Sequence, residues 1–112
     1  MEVIKAKYYN SGGNVLVYYG QLENGRYFSL SMNQLFILDA DYAETLTEEF
    51  YKETEGDTYE WDKKHTLESY SFPSTDRDAI DTVKNIFKKL KEVYPNGEWD
   101  QLCNSELLIK DE

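Results

Sequence analysis

The sequence predicts an α+β fold, with an antiparallel β-meander of three to four strands packed against one long amphipathic helix and a second, shorter acidic helix. Three observations predict it. Strand-type runs separated by turn residues fill positions 1–38. An unbroken apolar stripe at helical spacing runs from Ala79 to Tyr94. Between them, Ala43, Leu46 and Phe50 recur at helical spacing inside a highly acidic stretch.

The strands come first. Val3-Ile4-Lys5-Ala6-Lys7-Tyr8-Tyr9 has strand composition and partial alternation, and Asn10-Ser11-Gly12-Gly13-Asn14 is a turn cluster. Val15-Leu16-Val17-Tyr18-Tyr19 is apolar on both faces, as a central strand would be. Glu23-Asn24-Gly25 is a hairpin signal, because Asn and Gly tolerate positive φ, and Arg26-Tyr27-Phe28-Ser29-Leu30 returns antiparallel. Leu35-Phe36-Ile37-Leu38 is a candidate fourth strand.

Residues 41–53 read as a helix, with Asp41-x-x-Glu44 resembling a capping box and Tyr42 beside the apolar positions. Glu55-Gly56-Asp57 ends it. Tyr59, Trp61, Leu67, Tyr70 and Phe72 then suggest strand, turn, strand, with the turn near Asp62-Lys63-Lys64. Pro73-Ser74-Thr75-Asp76 starts the long helix. Its stripe is Ala79, Ile80, Val83, Ile86, Phe87, Leu90, Val93 and Tyr94, with acids early and lysines late as the helix dipole favours. Pro95-Asn96-Gly97 stops it, and Trp99, Leu102, Leu107, Leu108 and Ile109 suffice for a short docking helix or strand.

A length of 112 residues suits a single domain over 1–112. Hydrophobic residues make up 40% and charged residues 30%, a globular balance. Ten tyrosines serve either half-buried strands or a binding surface. The net charge of −10 repels nucleic acid and anionic membrane, so neither is an expected partner and a basic protein is. The lone cysteine, Cys103, suits a reducing compartment. No apolar run reaches the ~18 residues of a membrane span. Met1-Glu2-Val3-Ile4-Lys5 lacks the basic and apolar regions of a signal peptide, and the expected location is cytoplasmic.

Catalytic signals are sparse, and no cofactor is expected. His65 is the only histidine and reads as a surface residue. No local signature pairs it with Cys103. One Cys and one His are too few for a zinc centre. Asp39 and Asp41 could hold Mg²⁺, but an EF-hand loop needs Gly where Glu44 stands. A small metal-dependent nuclease or modifying enzyme therefore stays an alternative, with Asp39 and Asp41 as its ligands.

The charge map is the unusual feature. Positions 39–62 hold Asp39, Asp41, Glu44, Glu48, Glu49, Glu53, Glu55, Asp57, Glu60 and Asp62 against Lys52 alone, a net of −9, while the remainder of the chain nets −1. Glu44–Glu48 and Glu49–Glu53 would be like-charge pairs on a helix, each destabilising by a few tenths of a kcal/mol. Tyr42, Tyr51, Tyr59 and Trp61 sit among the acids, and aromatics of this kind anchor interfaces. Five acids over roughly 18 Å of helix approach the charge density of a nucleic-acid strand, ~3.4 Å per phosphate. These residues are the candidate partner-binding set. A solvated acidic face serving solubility is the alternative reading.

A short, cysteine-poor, acidic and Tyr-rich chain, with its acidic run from Asp39 to Asp62, a strand-helix plan and the closing Asn104-Ser105-Glu106-Leu107-Leu108-Ile109-Lys110, resembles the small anti-CRISPR proteins of phages and mobile elements. The resemblance is one of character, without an aligned motif, and carries over no functional residue. It implies a non-enzymatic inhibitor that blocks guide-RNA loading or DNA binding by Cas9. An immunity protein neutralising a basic nuclease toxin is the alternative of the same acidic character.

Overall fold

The computed structural model describes residues 2–97 apart from 12, 13, 32, 33, 46, 56 and 73, with the side chains at 11, 14 and 43–45 also left aside. Strands β1 (Val3–Ser11), β2 (Asn14–Leu22), β3 (Tyr27–Ser31) and β4 (Gln34–Leu38) follow one another as an antiparallel meander. At the β2–β3 hairpin the N–H of Leu22 donates to the carbonyl of Arg26 at 2.8 Å, and Gly25 supplies the positive φ of 81°. The expected α+β plan holds, and the meander gains a fifth strand: β5 (Thr66–Ser71), the second of the two strands expected over 59–72, joins the far side of β4, giving a five-stranded sheet in the order β1-β2-β3-β4-β5.

Strands β2 and β4 are apolar on both faces. On β2, Val15, Tyr18 and Leu22 enter one core, while Val17 and Tyr19 enter another on the opposite face. On β4, Leu35 and Ile37 face the first core, while Phe36 and Leu38 face the other side. Helix α3 (Arg77–Val93) covers the first face with buried Ala79, Val83, Ile86 and Leu90. Burying each of its large side chains contributes about 1.5–3 kcal/mol. Asp76 caps the helix by accepting the N–H of Ala79 at 3.0 Å. Tyr18–Phe87 and Tyr8–Tyr94 edge-to-face contacts seat it across the sheet. The expected stripe is thus core, except that Val93 is exposed.

The second face is covered by the acidic segment, and here two expectations are corrected. The helix expected over 41–53 is a 3-10 turn (Ala40–Thr45) followed by a separate helix α1 (Glu48–Glu53). Asp41 does not cap a helix; Thr47 caps α1 through its hydroxyl, which accepts the N–H of Phe50 at 3.1 Å. The reason is geometric. Tyr42 and Tyr51 are both buried, yet positions nine apart on one continuous helix of ~3.6 residues per turn point in opposite directions. Breaking the segment turns both inward. The strand expected near residue 59 and the turn at Asp62-Lys63-Lys64 are instead helix α2 (Tyr59–His65), which runs directly into β5.

Residues 98–112, and with them the expected tail element, Cys103 and the closing 104–110 segment, lie outside the described residues. Among the described residues, no helix is long and apolar enough to cross a membrane.

One glycine is indispensable to the sheet. A Cβ on Gly20 would lie 2.0 Å from the carbonyl oxygen of Lys5 and 2.9 Å from Cε2 of Phe28, beside a register shift between Val3 and Lys5. Gly20→Ala is expected to destabilise by about 2–3 kcal/mol, because backbone rather than a flexible side chain must move. Gly25→Ala meets no atom and is expected to lose only about 1 kcal/mol through its positive φ. Urea denaturation of both variants checks the order; equal losses would show that the β1–β2 approach is not tight.

Candidate functional site

The acidic segment is a layer seated on the sheet by a few inward side chains. Tyr51 stacks on Tyr19 with ring centroids 4.1 Å apart, fixing α1 over β2. Phe36 of β4 meets Tyr59 of α2 edge-on at 6.4 Å. Phe50 and Trp61 meet edge-on at 5.8 Å, joining α1 to α2.

Beneath these rings lies a buried polar network. Asp62 is 2% exposed, and Tyr42 and Tyr51 are fully buried. The Tyr42 hydroxyl donates to Asp62 Oδ1 at 2.6 Å and the Thr58 hydroxyl donates to Oδ2 at 2.8 Å. With the Tyr42 proton committed to Asp62, the Tyr51 hydroxyl donates to the Tyr42 oxygen across 3.3 Å. Thr58 begins α2 without a side-chain cap because its hydroxyl serves the carboxylate instead. The Ser29 hydroxyl is buried without a hydrogen-bond partner among the described residues. Burial raises the Asp62 pKa, opposed by the hydrogen bonds from Tyr42 and Thr58. Burial likewise pushes up Tyr51 and Tyr42, with the Tyr42 hydroxyl and the Asp62 charge respectively adding to it, so both tyrosines act as neutral donors.

The residues expected to meet a partner therefore divide. Tyr42, Tyr51 and Asp62 point inward and are withdrawn from the surface. Asp41, Glu48, Glu49, Glu53, Glu55, Asp57 and Glu60 are exposed, together with Tyr59 and Trp61 at 52% and 43%. The Glu44 side chain lies outside the described residues. Glu44 belongs to the 3-10 turn and α1 begins only at Glu48, so only Glu49–Glu53 remains a same-helix pair and the regular 18 Å row of charges does not form. None of the exposed acids makes an ion pair within 4.0 Å with a described residue.

Asp39 is half-buried and already engaged: its Oδ1 accepts the N–H of Asp41 at 3.0 Å and lies 3.1 Å from Nδ1 of His65. His65 is thus not an ordinary surface residue; it ties the end of α2 to the start of the 3-10 turn, where the N–H of Asp39 also donates to its carbonyl at 2.9 Å. Among the described residues, no group of three or more potential metal ligands gathers. Two clefts lie away from the acidic layer. One of 310 Å³ is lined by Arg26, Glu68, Tyr70, Asp78 and Thr82, and one of 210 Å³ by Val3, Asn85 and Lys88 among others.

Sequence reasoning missed Thr58, Ser29 and His65. For α2 a signal was present: Glu60 and Asp62 early with Lys63, Lys64 and His65 late is helix-dipole order. The alternation of Tyr59 and Trp61 concealed it.

No protein-family model matches the chain, and neither a curated protein nor a solved structure does.

Because the folded-state pKa of Asp62 is raised above the ordinary 3.8, the folded chain takes up the proton first as pH falls. The stabilising contribution is complete below the unfolded value and is lost as pH rises through the folded one. Asp62→Asn removes this titration. Wild type is expected to gain stability relative to Asp62→Asn on acidification from neutral pH, read by thermal melts across about pH 3.5 to 7.5. A difference independent of pH would mean that Asp62 holds the same proton in both states. Separately, Tyr42→Phe leaves a buried carboxylate short of a donor and is expected to lose about 1–3 kcal/mol at neutral pH in the same melts.

Proposed function

We propose that this chain is a non-enzymatic binding protein that presents the outer face of residues 40–65 to a basic nucleic-acid-binding protein and competes there with nucleic acid. One observation carries the reading. The most acidic segment is fastened to the sheet by buried Tyr42, Tyr51 and Asp62, and its remaining described acids from Asp41 to Glu60 are exposed and form no ion pair with a described residue. A solvated tail would serve solubility without such an anchor; a held layer keeps its charges at fixed positions, which is what recognition of a basic groove requires. Cas9 is the favoured partner, on the character this chain shares with anti-CRISPR proteins, and the step blocked is guide-RNA loading or DNA binding.

The test is a pull-down of tagged chain with Cas9, with and without guide RNA, at low and high salt. Capture is expected to weaken with salt and to be competed by guide or target nucleic acid. Reversing Glu48, Glu49, Glu53 and Glu60 to Lys, all exposed, is expected to weaken binding by about tenfold or more without lowering the melting temperature. Binding left intact by the four reversals would overturn the reading. Failure of wild type to capture Cas9 at either salt would remove Cas9, and a basic nuclease toxin would be the next partner to assay.

A further inference from the structure

Helix α2 carries the most exposed rings of the acidic layer, and each has a cation beside it. Nζ of Lys64 lies 5.2 Å from the centroid of Trp61, and Nζ of Lys63 lies 6.0 Å from that of Tyr59. Neither lysine forms an ion pair with a described carboxylate, although Asp57 and Glu60 are exposed on the same stretch. On α2 the ring faces, rather than the carboxylates, are the neighbours of Lys63 and Lys64. The rings are also fixed from behind: Trp61 rests edge-on against Phe50 and Tyr59 against Phe36. A pre-set aromatic surface orders few groups when a ligand arrives.

We infer that the Trp61 and Tyr59 ring faces are a seat for arginine side chains of the partner, with Lys64 and Lys63 as displaceable internal occupants. This rests on the acidic-face reading above and specifies the group that face selects. A guanidinium is flat, stacks on an aromatic face and is more weakly hydrated than an ammonium, so it outcompetes a lysine for the same ring. It also keeps in-plane N–H donors free for neighbouring carboxylates, which a stacked ammonium cannot arrange as a fork. Glu60 and Asp57 on α2 and its approach, and Glu53 on α1, supply acceptors in the same layer. The displaced lysines regain rotamer freedom and remain on a strongly acidic surface. Arginine-rich segments are what a phosphate-binding groove presents.

Hepta-arginine and hepta-lysine peptides of equal length and charge are the probes. Each is titrated against the full chain by calorimetry at low and at moderate salt. The arginine peptide is expected to bind about fivefold tighter. The preference is expected to shrink to near unity in Trp61→Leu/Tyr59→Leu, with Tyr59→Leu alone, which leaves the Trp61–Phe50 contact in place, losing part of it. Equal affinities on the wild-type chain, both falling with salt, would overturn the arginine seat and leave the acidic-face reading standing. A preference that survives in the double variant would place the selectivity away from the rings and also overturn it. Absence of binding by either peptide would sink both readings.

Discussion

A sheet in which β2 and β4 are apolar on both faces has to be covered on both, and most of this structure follows from that. Val15, Tyr18 and Leu22 of β2 point one way and Val17 and Tyr19 the other; Leu35 and Ile37 of β4 oppose Phe36 and Leu38. Leaving either set against water would forfeit the main favourable term in folding. Helix α3 meets the requirement on one side with an ordinary amphipathic stripe. On the other side, the sequence between β4 and β5 contains the greatest density of charge in the chain, and that segment must supply a buried lining.

It does so with large rings and few residues. Tyr42 and Tyr51 reach inward from pieces that are separately too short to be stable helices in water, since the 3-10 turn and α1 have six residues each. Their order comes from docking. The hydroxyls then need partners in a medium of low polarity, and Asp62 accepts from Tyr42 while Thr58 occupies its second oxygen. A buried carboxylate is a weak source of net stability, because desolvation offsets much of what its hydrogen bonds return. Its effect here is positional: the Tyr51–Tyr42–Asp62–Thr58 chain links α1, the 3-10 turn and α2 in one register.

That inner register lets the outer face be so highly charged. Repulsion among Glu48, Glu49, Glu53 and Glu60 opposes a layer that has little regular helix to resist it. The rings and hydroxyls below hold it against that repulsion. A basic partner would remove the repulsion as it binds, so the same charges that strain the free layer would favour the complex. The lysines resting on Trp61 and Tyr59 belong to this balance, placing positive charge at the aromatic faces of α2.

Periodicity and turn chemistry determined much by themselves. The first four strands, the Asn24-Gly25 hairpin and the Asp76-capped helix with its Ala79–Leu90 stripe are local patterns, each dictated by residues close in sequence. The concentration of acid in 39–62 was equally plain, as was the exposure that charge imposes on most of it. Tertiary structure alone decided the rest. Tyr42, Tyr51 and Asp62 have the composition of an interface and lie in the interior, because the uncovered sheet face above β2 and β4 needed them more than a partner could. The division of 40–53 into a 3-10 turn and a separate α1, and the helix at 59–65, have the same origin: local propensity is worth tenths of a kcal/mol per residue, and burying a ring is worth several times that.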